Sequence, residues 1–106
     1  MEIKVWADVH STGLFNYEGE YLLQEETTIS DKTWKDLQDW VEAYDIVTTM
    51  SQHERKQNKK LIKLLDKEGL RLLTQISKEW NKDKKSQEKL LFRYYSEGFL
   101  EYIIFN

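Results

Sequence analysis

A stretch of about thirty residues, 51–81, has the apolar periodicity of one amphipathic α-helix. Ser51, followed three residues later by Glu54, is the capping-box pattern of a helix N-terminus. At about 3.6 residues per turn, one stripe of this helix is apolar and consists of Leu61, Ile62, Leu65, Gly69, Leu72, Leu73, Ile76 and Trp80. The opposite arc is basic and consists of Arg55, Lys56, Lys59, Lys60, Lys63, Lys67, Arg71 and Lys78. The sequence therefore predicts one face in a core and the other in contact with water or an anionic partner.

The length of this helix constrains the fold. At about 1.5 Å per residue it would run about 45 Å, whereas a domain of this size has a radius of gyration of about 13 Å. We therefore expect the helix to protrude, to bend, or to pair with a second copy in a homodimer. Glycine in a helix costs about 1 kcal/mol relative to alanine. We therefore expect Gly69 to mark either a bend or a close approach of the helix to the sheet, and we favour the close approach.

Other patterns predict strands at both ends of the chain. Residues 3–9 alternate between apolar and polar side chains, as a strand with one buried face does. Residues 13–23 predict a hairpin with Gly19 in its turn. Residues 89–105, rich in aromatic and β-branched side chains, predict a second hairpin whose three-residue turn ends at Gly98.

A first helix is predicted after Ser30, which is a good N-cap residue. It should end in the β-branched residues 46–49 and bury Trp34, Leu37, Trp40, Val41 and Tyr44. The resulting ββααββ order predicts an α+β fold, in which a small, mostly antiparallel sheet of about four strands has both helices packed on one face.

Composition limits the class of protein. A chain of 106 residues without proline and with four glycines offers no linker, so residues 1–106 are predicted to form a single domain. The absence of cysteine excludes disulfides and thiolate zinc sites. The N-terminus lacks the apolar core of a signal peptide, and no stretch reaches transmembrane length. We therefore expect a cytoplasmic protein without a membrane partner.

Charge is distributed unevenly along the chain. Residues 1–47 contain eleven acidic residues and three lysines, a net charge of −8. Residues 48–106 contain thirteen basic and eight acidic residues, a net charge of +5. Either the two halves neutralise each other within the fold, or one charged surface binds a partner of opposite charge.

The end of the first predicted strand carries an apparent metal-site motif. Asp8 and His10 resemble the opening of calcineurin-like metallophosphoesterases, which would imply a two-metal site. That family needs further Asp, Asn and His ligands, and the chain has one other histidine, His53. We therefore predict no metal site, and expect Asp8 and His10 to fix a turn with Ser11 and Thr12.

A second resemblance extends over more of the chain. The segments KVWADVHSTGLF, WKDLQDWVEAYD and LLDKEGLRLLTQISKEW are similar to the strand and helix patterns of a group of small, acidic bacterial proteins. The resemblance implies a small accessory protein, of a type found among bacterial immunity proteins and mobile-element genes.

These observations favour a protein-binding module that occludes a partner protein, such as an immunity protein acting on a toxin or nuclease, or a phage-derived inhibitor of a defence component. The aromatic residues are in surplus, especially the tyrosines at strand or turn positions, which cannot all be buried: Tyr17, Tyr21, Tyr94 and Tyr95. The predicted anchors are Phe15, Tyr17, Tyr94 and Tyr95. Lys60, Lys63 and Lys67 are predicted to steer association.

Two other functional classes remain. The alternative is nucleic-acid binding, in which the basic arc follows phosphates and Arg93 with Tyr94 and Tyr95 stacks on single strands. The acidic isoelectric point, near 5.4, opposes it. An enzyme is disfavoured because we find no paired-carboxylate spacing, nucleophile elbow or phosphate loop, and we predict neither catalytic residues nor a cofactor.

Overall fold

The computed structural model describes residues 2–8, 10–80, 91–95 and 101–105, with the last segment described by its backbone alone. The strands are β1 (Glu2–Trp6), β2 (Leu14–Phe15), β3 (Leu91–Tyr95) and β4 (Glu101–Phe105). The helices are α1 (Asp31–Thr48), α2 (Gln52–Gln57) and α3 (Lys59–Trp80), preceded by a 3₁₀ turn at Gln24–Glu26. No helix among these residues combines the length and apolar composition that a membrane crossing requires.

The sheet is small and mixed. Strand β1 pairs antiparallel with β2 and parallel with β3, and β4 pairs antiparallel with β3, in the order β2-β1-β3-β4. The parallel pair is possible because the chain crosses over through α1 and α3 between the two strands. The predicted α+β class is confirmed. The predicted ββααββ order is not confirmed, because the second helix is divided, and the sheet is antiparallel only in part, because β1 and β3 are parallel.

Asn58 divides the helix predicted over residues 51–81. The capping box of Ser51 and Glu54 starts α2 as predicted, but the Asn58 side chain donates to the Glu54 carbonyl at 2.8 Å, and its backbone N–H bonds to Arg55. Asparagine competes for backbone hydrogen bonds in this way and breaks helices. Because no residue of α2 is buried, no packing opposes the break.

The core lies between the sheet and the helices. Ile3 and Val5 of β1, and Phe92 and Tyr94 of β3, are fully buried together with the inner faces of α1 and α3. From α1 the core receives Leu37, Trp40, Val41, Tyr44 and Val47, and from α3 it receives Leu72, Leu73 and Ile76. This confirms the predicted inner faces of both helices. The N-cap role of Ser30 is also confirmed, since its side chain accepts from the Thr33 N–H.

Gly69 lies at a close approach of α3 to β3. A Cβ atom at this position would lie 2.6 Å from Cζ of the Tyr94 ring, so only glycine fits. The predicted close approach to the sheet is confirmed. Next to it, the Asp66 carboxylate accepts hydrogen bonds from Tyr94 Oη at 2.6 Å and Tyr44 Oη at 2.9 Å. Burial and the bond to Asp66 raise the pKa of Tyr94, which stays protonated.

A second buried carboxylate joins α3 to the start of α1. Glu79 accepts from the Ser30 N–H at 2.6 Å, from Gln75 Nε2 at 2.8 Å and from the Thr33 hydroxyl. Burial raises the pKa of Glu79, but these hydrogen bonds outweigh it and lower the pKa to about 2. A negative charge at a helix N-terminus is favourable, so Glu79 stabilises the packing of the two helices.

Candidate protein-binding surface

Strand β1 has one face toward the helices and one open face. Ile3 and Val5 point into the core, so the alternation of the strand places Glu2, Lys4 and Trp6 on the opposite face. The pairing register brings Tyr95 beside Trp6. Lys4 Nζ lies 4.7 Å from the centre of the Tyr95 ring, a cation–π contact. On the same face, Arg93 Nε lies 3.4 Å from a Glu2 carboxylate oxygen.

The hairpin that begins with β2 extends this open face. Phe15 pairs with Lys4, and its ring centre lies 5.7 Å from that of Trp6. Tyr21 forms a β-bridge with Phe15 and therefore shares its face. Four large hydrophobic side chains of β1 and the hairpin are exposed: Tyr17 is 67% exposed and Tyr21 is 52% exposed, and Trp6 and Leu23 are also exposed. We call Trp6, Tyr17, Tyr21 and Leu23 the aromatic surface.

Asn16 holds the turn that carries Tyr17. Its side-chain Oδ1 accepts from the Glu18 N–H at 2.9 Å and from the Glu20 N–H at 3.0 Å. Its backbone N–H donates to the Glu20 carbonyl, and its carbonyl accepts from the Gly19 N–H. Gly19 has the positive φ of 84° that the turn requires. The predicted turn at Gly19 is confirmed. Since the turn is ordered before binding, a partner does not have to order it, which lowers the entropic cost of association.

The predicted anchors divide into buried and accessible side chains. Tyr94 is 0% exposed and Phe15 is 6% exposed, so this fold does not present these two predicted anchors at its surface. Tyr94 faces the core because it lies two residues from Phe92 on β3, and Phe15 is covered next to Trp6. Tyr17 is exposed, and Tyr95 is partly buried next to Lys4.

The predicted lysines form a separate surface. Lys60, Lys63 and Lys67 are exposed on α3, and none of them pairs with a carboxylate within the described part of the chain. Leu64, 66% exposed, lies among them. The two halves of the chain are nonetheless joined by the Arg71–Asp36 and Arg93–Glu2 pairs. The acidic and basic halves of the chain therefore neutralise each other only in part.

The Asp8–His10 motif forms a turn. Asp8 Oδ1 accepts from the His10 N–H at 3.0 Å, and the Asp8 carbonyl accepts from the Ser11 hydroxyl at 2.8 Å. Thr12 Oγ1 donates to the Leu22 carbonyl at 2.5 Å, which connects this turn to the hairpin. The predicted turn is confirmed. Among the described residues, no three His, Cys, Asp or Glu side chains gather as metal ligands would.

Sequence reasoning did not select Trp6 or Leu23, and it counted Tyr21 among the surplus aromatic residues but not among the anchors. A signal for Trp6 was present, because the alternation of β1 places it on the polar face, where a tryptophan has no core to fill. Comparison with protein families, curated proteins and solved structures finds no match. The candidate site thus depends on the geometry of this chain alone.

Proposed function

We propose that this chain is a small protein-binding module, and that it acts by covering a site on a partner protein, as immunity proteins and phage-derived inhibitors do. The observation that carries the proposal is the aromatic surface on an ordered turn. Exposed aromatic side chains held in place before binding are typical of the few residues that supply most of the affinity in a protein interface.

The polar side chains around this surface support binding by occlusion rather than catalysis. Arg93 pairs with Glu2, and Lys4 lies on the Tyr95 ring. Each cation is held next to a group that stabilises its charge, which suits a fixed recognition surface.

Nucleic-acid binding is the second candidate, and the exposed lysines 60, 63 and 67 on α3 favour it. Its stacking component is weaker than the sequence suggested, because Tyr94 is buried and cannot stack on bases. A phosphate-binding helix face without stacking residues predicts weak, salt-sensitive binding.

One experiment tests the proposal. A photo-reactive phenylalanine analogue in place of Tyr21 would cross-link the partner in the source cells, and mass spectrometry would identify it. The purified partner is then titrated with the unmodified chain, with Tyr17→Ala/Tyr21→Ala and, as a matched surface control, with Lys60→Gln/Lys63→Gln/Lys67→Gln.

We expect the aromatic variant to lose about 30-fold or more in affinity, since an anchor contributes about 2 kcal/mol. The lysine variant should change mainly the association rate. Equal affinity of the aromatic variant and the unmodified chain would contradict the proposal. Tight binding of duplex or single-stranded DNA at physiological salt, lost in the lysine variant, would support the alternative instead.

A further inference from the structure

Acidic side chains flank Tyr17, Tyr21 and Leu23 of the aromatic surface. Residues 16–26 contain Glu18, Glu20, Glu25 and Glu26, all exposed, and no lysine or arginine. None of these four carboxylates forms an ion pair with any cation that the structure describes. Glu26 lies directly at the surface, where it accepts from the Leu23 N–H at 3.3 Å.

The acidic residues of α1 are arranged differently. Asp36 is 3.2 Å from Lys32 and 3.4 Å from Arg71, and Asp39 is 2.9 Å from Lys35. The hydrogen bond from Lys32 keeps the pKa of Asp36 below its usual value. Two of the five carboxylates of α1, those of Asp36 and Asp39, are thus paired with cations, whereas the four carboxylates of residues 16–26 are left to attract an external positive charge.

We infer that the partner is a nucleic-acid-binding protein, and that this chain covers its phosphate-binding face. The inference rests on the proposed function and specifies its partner. Proteins that bind single strands combine Lys and Arg side chains for the phosphates with apolar and aromatic platforms for the bases. The hairpin presents the complement of both: carboxylates in the role of phosphates, and the rings of Tyr17 and Tyr21 in the role of bases.

The test uses the cross-linked partner in purified form. Its binding is measured by surface plasmon resonance from low to high salt, for the unmodified chain and for Glu18→Gln/Glu20→Gln/Glu25→Gln. Glu26 stays unchanged because its carboxylate caps Leu23. The control, Asp39→Asn/Glu42→Gln/Glu68→Gln, removes the same net charge from the helices. A single-stranded oligonucleotide is added as competitor.

We expect the hairpin variant to associate about tenfold more slowly at low salt, and the control to differ from the unmodified chain by less than about twofold. The oligonucleotide should displace the chain from its partner. Equal rates for the two variants, or no displacement, would overturn the inference, while a loss of affinity in Tyr17→Ala/Tyr21→Ala would still uphold the proposed function. If the aromatic variant also binds normally, or if only a second copy of the chain is cross-linked, the inference and the proposed function are both contradicted.

Discussion

The carboxylates inside the helical layer and those around the hairpin turn differ in what surrounds them. Asp66 accepts from two tyrosine hydroxyls, and Glu79 accepts from three donors at the start of α1. Glu18, Glu20 and Glu25 have no cationic partner among the described residues. The buried carboxylates thus stabilise the fold, whereas the carboxylates of the hairpin remain available to a partner.

This difference has an energetic consequence. A buried polar group must be hydrogen-bonded within the fold, because leaving it without a hydrogen bond costs about 1–3 kcal/mol. An exposed carboxylate or tyrosine hydroxyl is hydrogen-bonded to water and contributes little to the free energy of folding. Substitutions in the interior should therefore change stability, whereas those on the hairpin should change binding.

Asp66→Ala is expected to have the largest effect. It removes the acceptor that the buried Tyr44 and Tyr94 hydroxyls share, so we expect a loss of about 2–5 kcal/mol in the free energy of unfolding, measured by urea denaturation. Tyr94→Phe, which removes one hydroxyl and keeps the ring, should lose less. If Asp66→Ala is as stable as the unmodified chain, the bond to the two tyrosines does not stabilise the fold.

Gly69→Ala should have the next largest effect. Alanine would gain up to about 1 kcal/mol of helix propensity, but its Cβ would contact the Tyr94 ring, and overpacking of this kind costs about 1–3 kcal/mol. We expect a lower melting temperature. Thr74→Ala, on the exposed side of α3, is the control and should be neutral or slightly stabilising. A stabilised Gly69→Ala variant would contradict the close packing of α3 on β3.

Glu79→Gln should destabilise the chain by about 1–2 kcal/mol near neutral pH, because it removes a charge at the α1 N-terminus. The pKa of Glu79 is about 2 in the folded chain and near 4.5 ordinarily, so its stabilisation is complete above pH 4.5 and is lost as pH falls from 4.5 to 2. In melting experiments across this range, the variant should lose less stability than the unmodified chain. Parallel curves for the two proteins would refute the role of the Glu79 charge.

Tyr17→Ala and Tyr21→Ala should have the smallest effects on stability, each within about 0.5 kcal/mol, because both side chains are mostly exposed. Thermal unfolding of the two variants checks this expectation. A loss of several kcal/mol in either one would mean that the hairpin tyrosines belong to the core, and the contrast between the two regions would disappear.

The sequence predicts the elements of this fold better than their arrangement. The Ser30 and Ser51 caps, the inner helix faces and the role of Gly69 follow from local patterns, because capping and periodicity act over a few residues. The pairing of β1 with β3 does not, since alternation shows which face of a strand is buried but not which strand lies beside it. The break at Asn58 does not follow from the sequence pattern, because the polar residues 52–60 also fit one continuous helix.

The candidate site was predicted only in part for the same reason. An aromatic residue on a strand can face the core or the solvent, and only the register places Tyr94 inside and Tyr21 outside. Asp66 was overlooked although it lies three residues before Gly69, on the inner side of α3. An acidic residue in an apolar stripe is a detectable signal of a buried hydrogen-bond network.

Hydroxyl-radical footprinting of the chain, free and bound to its partner, tests the central claim most directly. Trp6, Tyr17, Tyr21 and Leu23 should lose reactivity on binding, whereas Leu64 on α3 and Ile46 on α1, both exposed, should keep it. Protection of Leu64 with unchanged reactivity at Tyr17 and Tyr21 would contradict the account, because the basic face of α3, and not the aromatic surface, would then be the binding site.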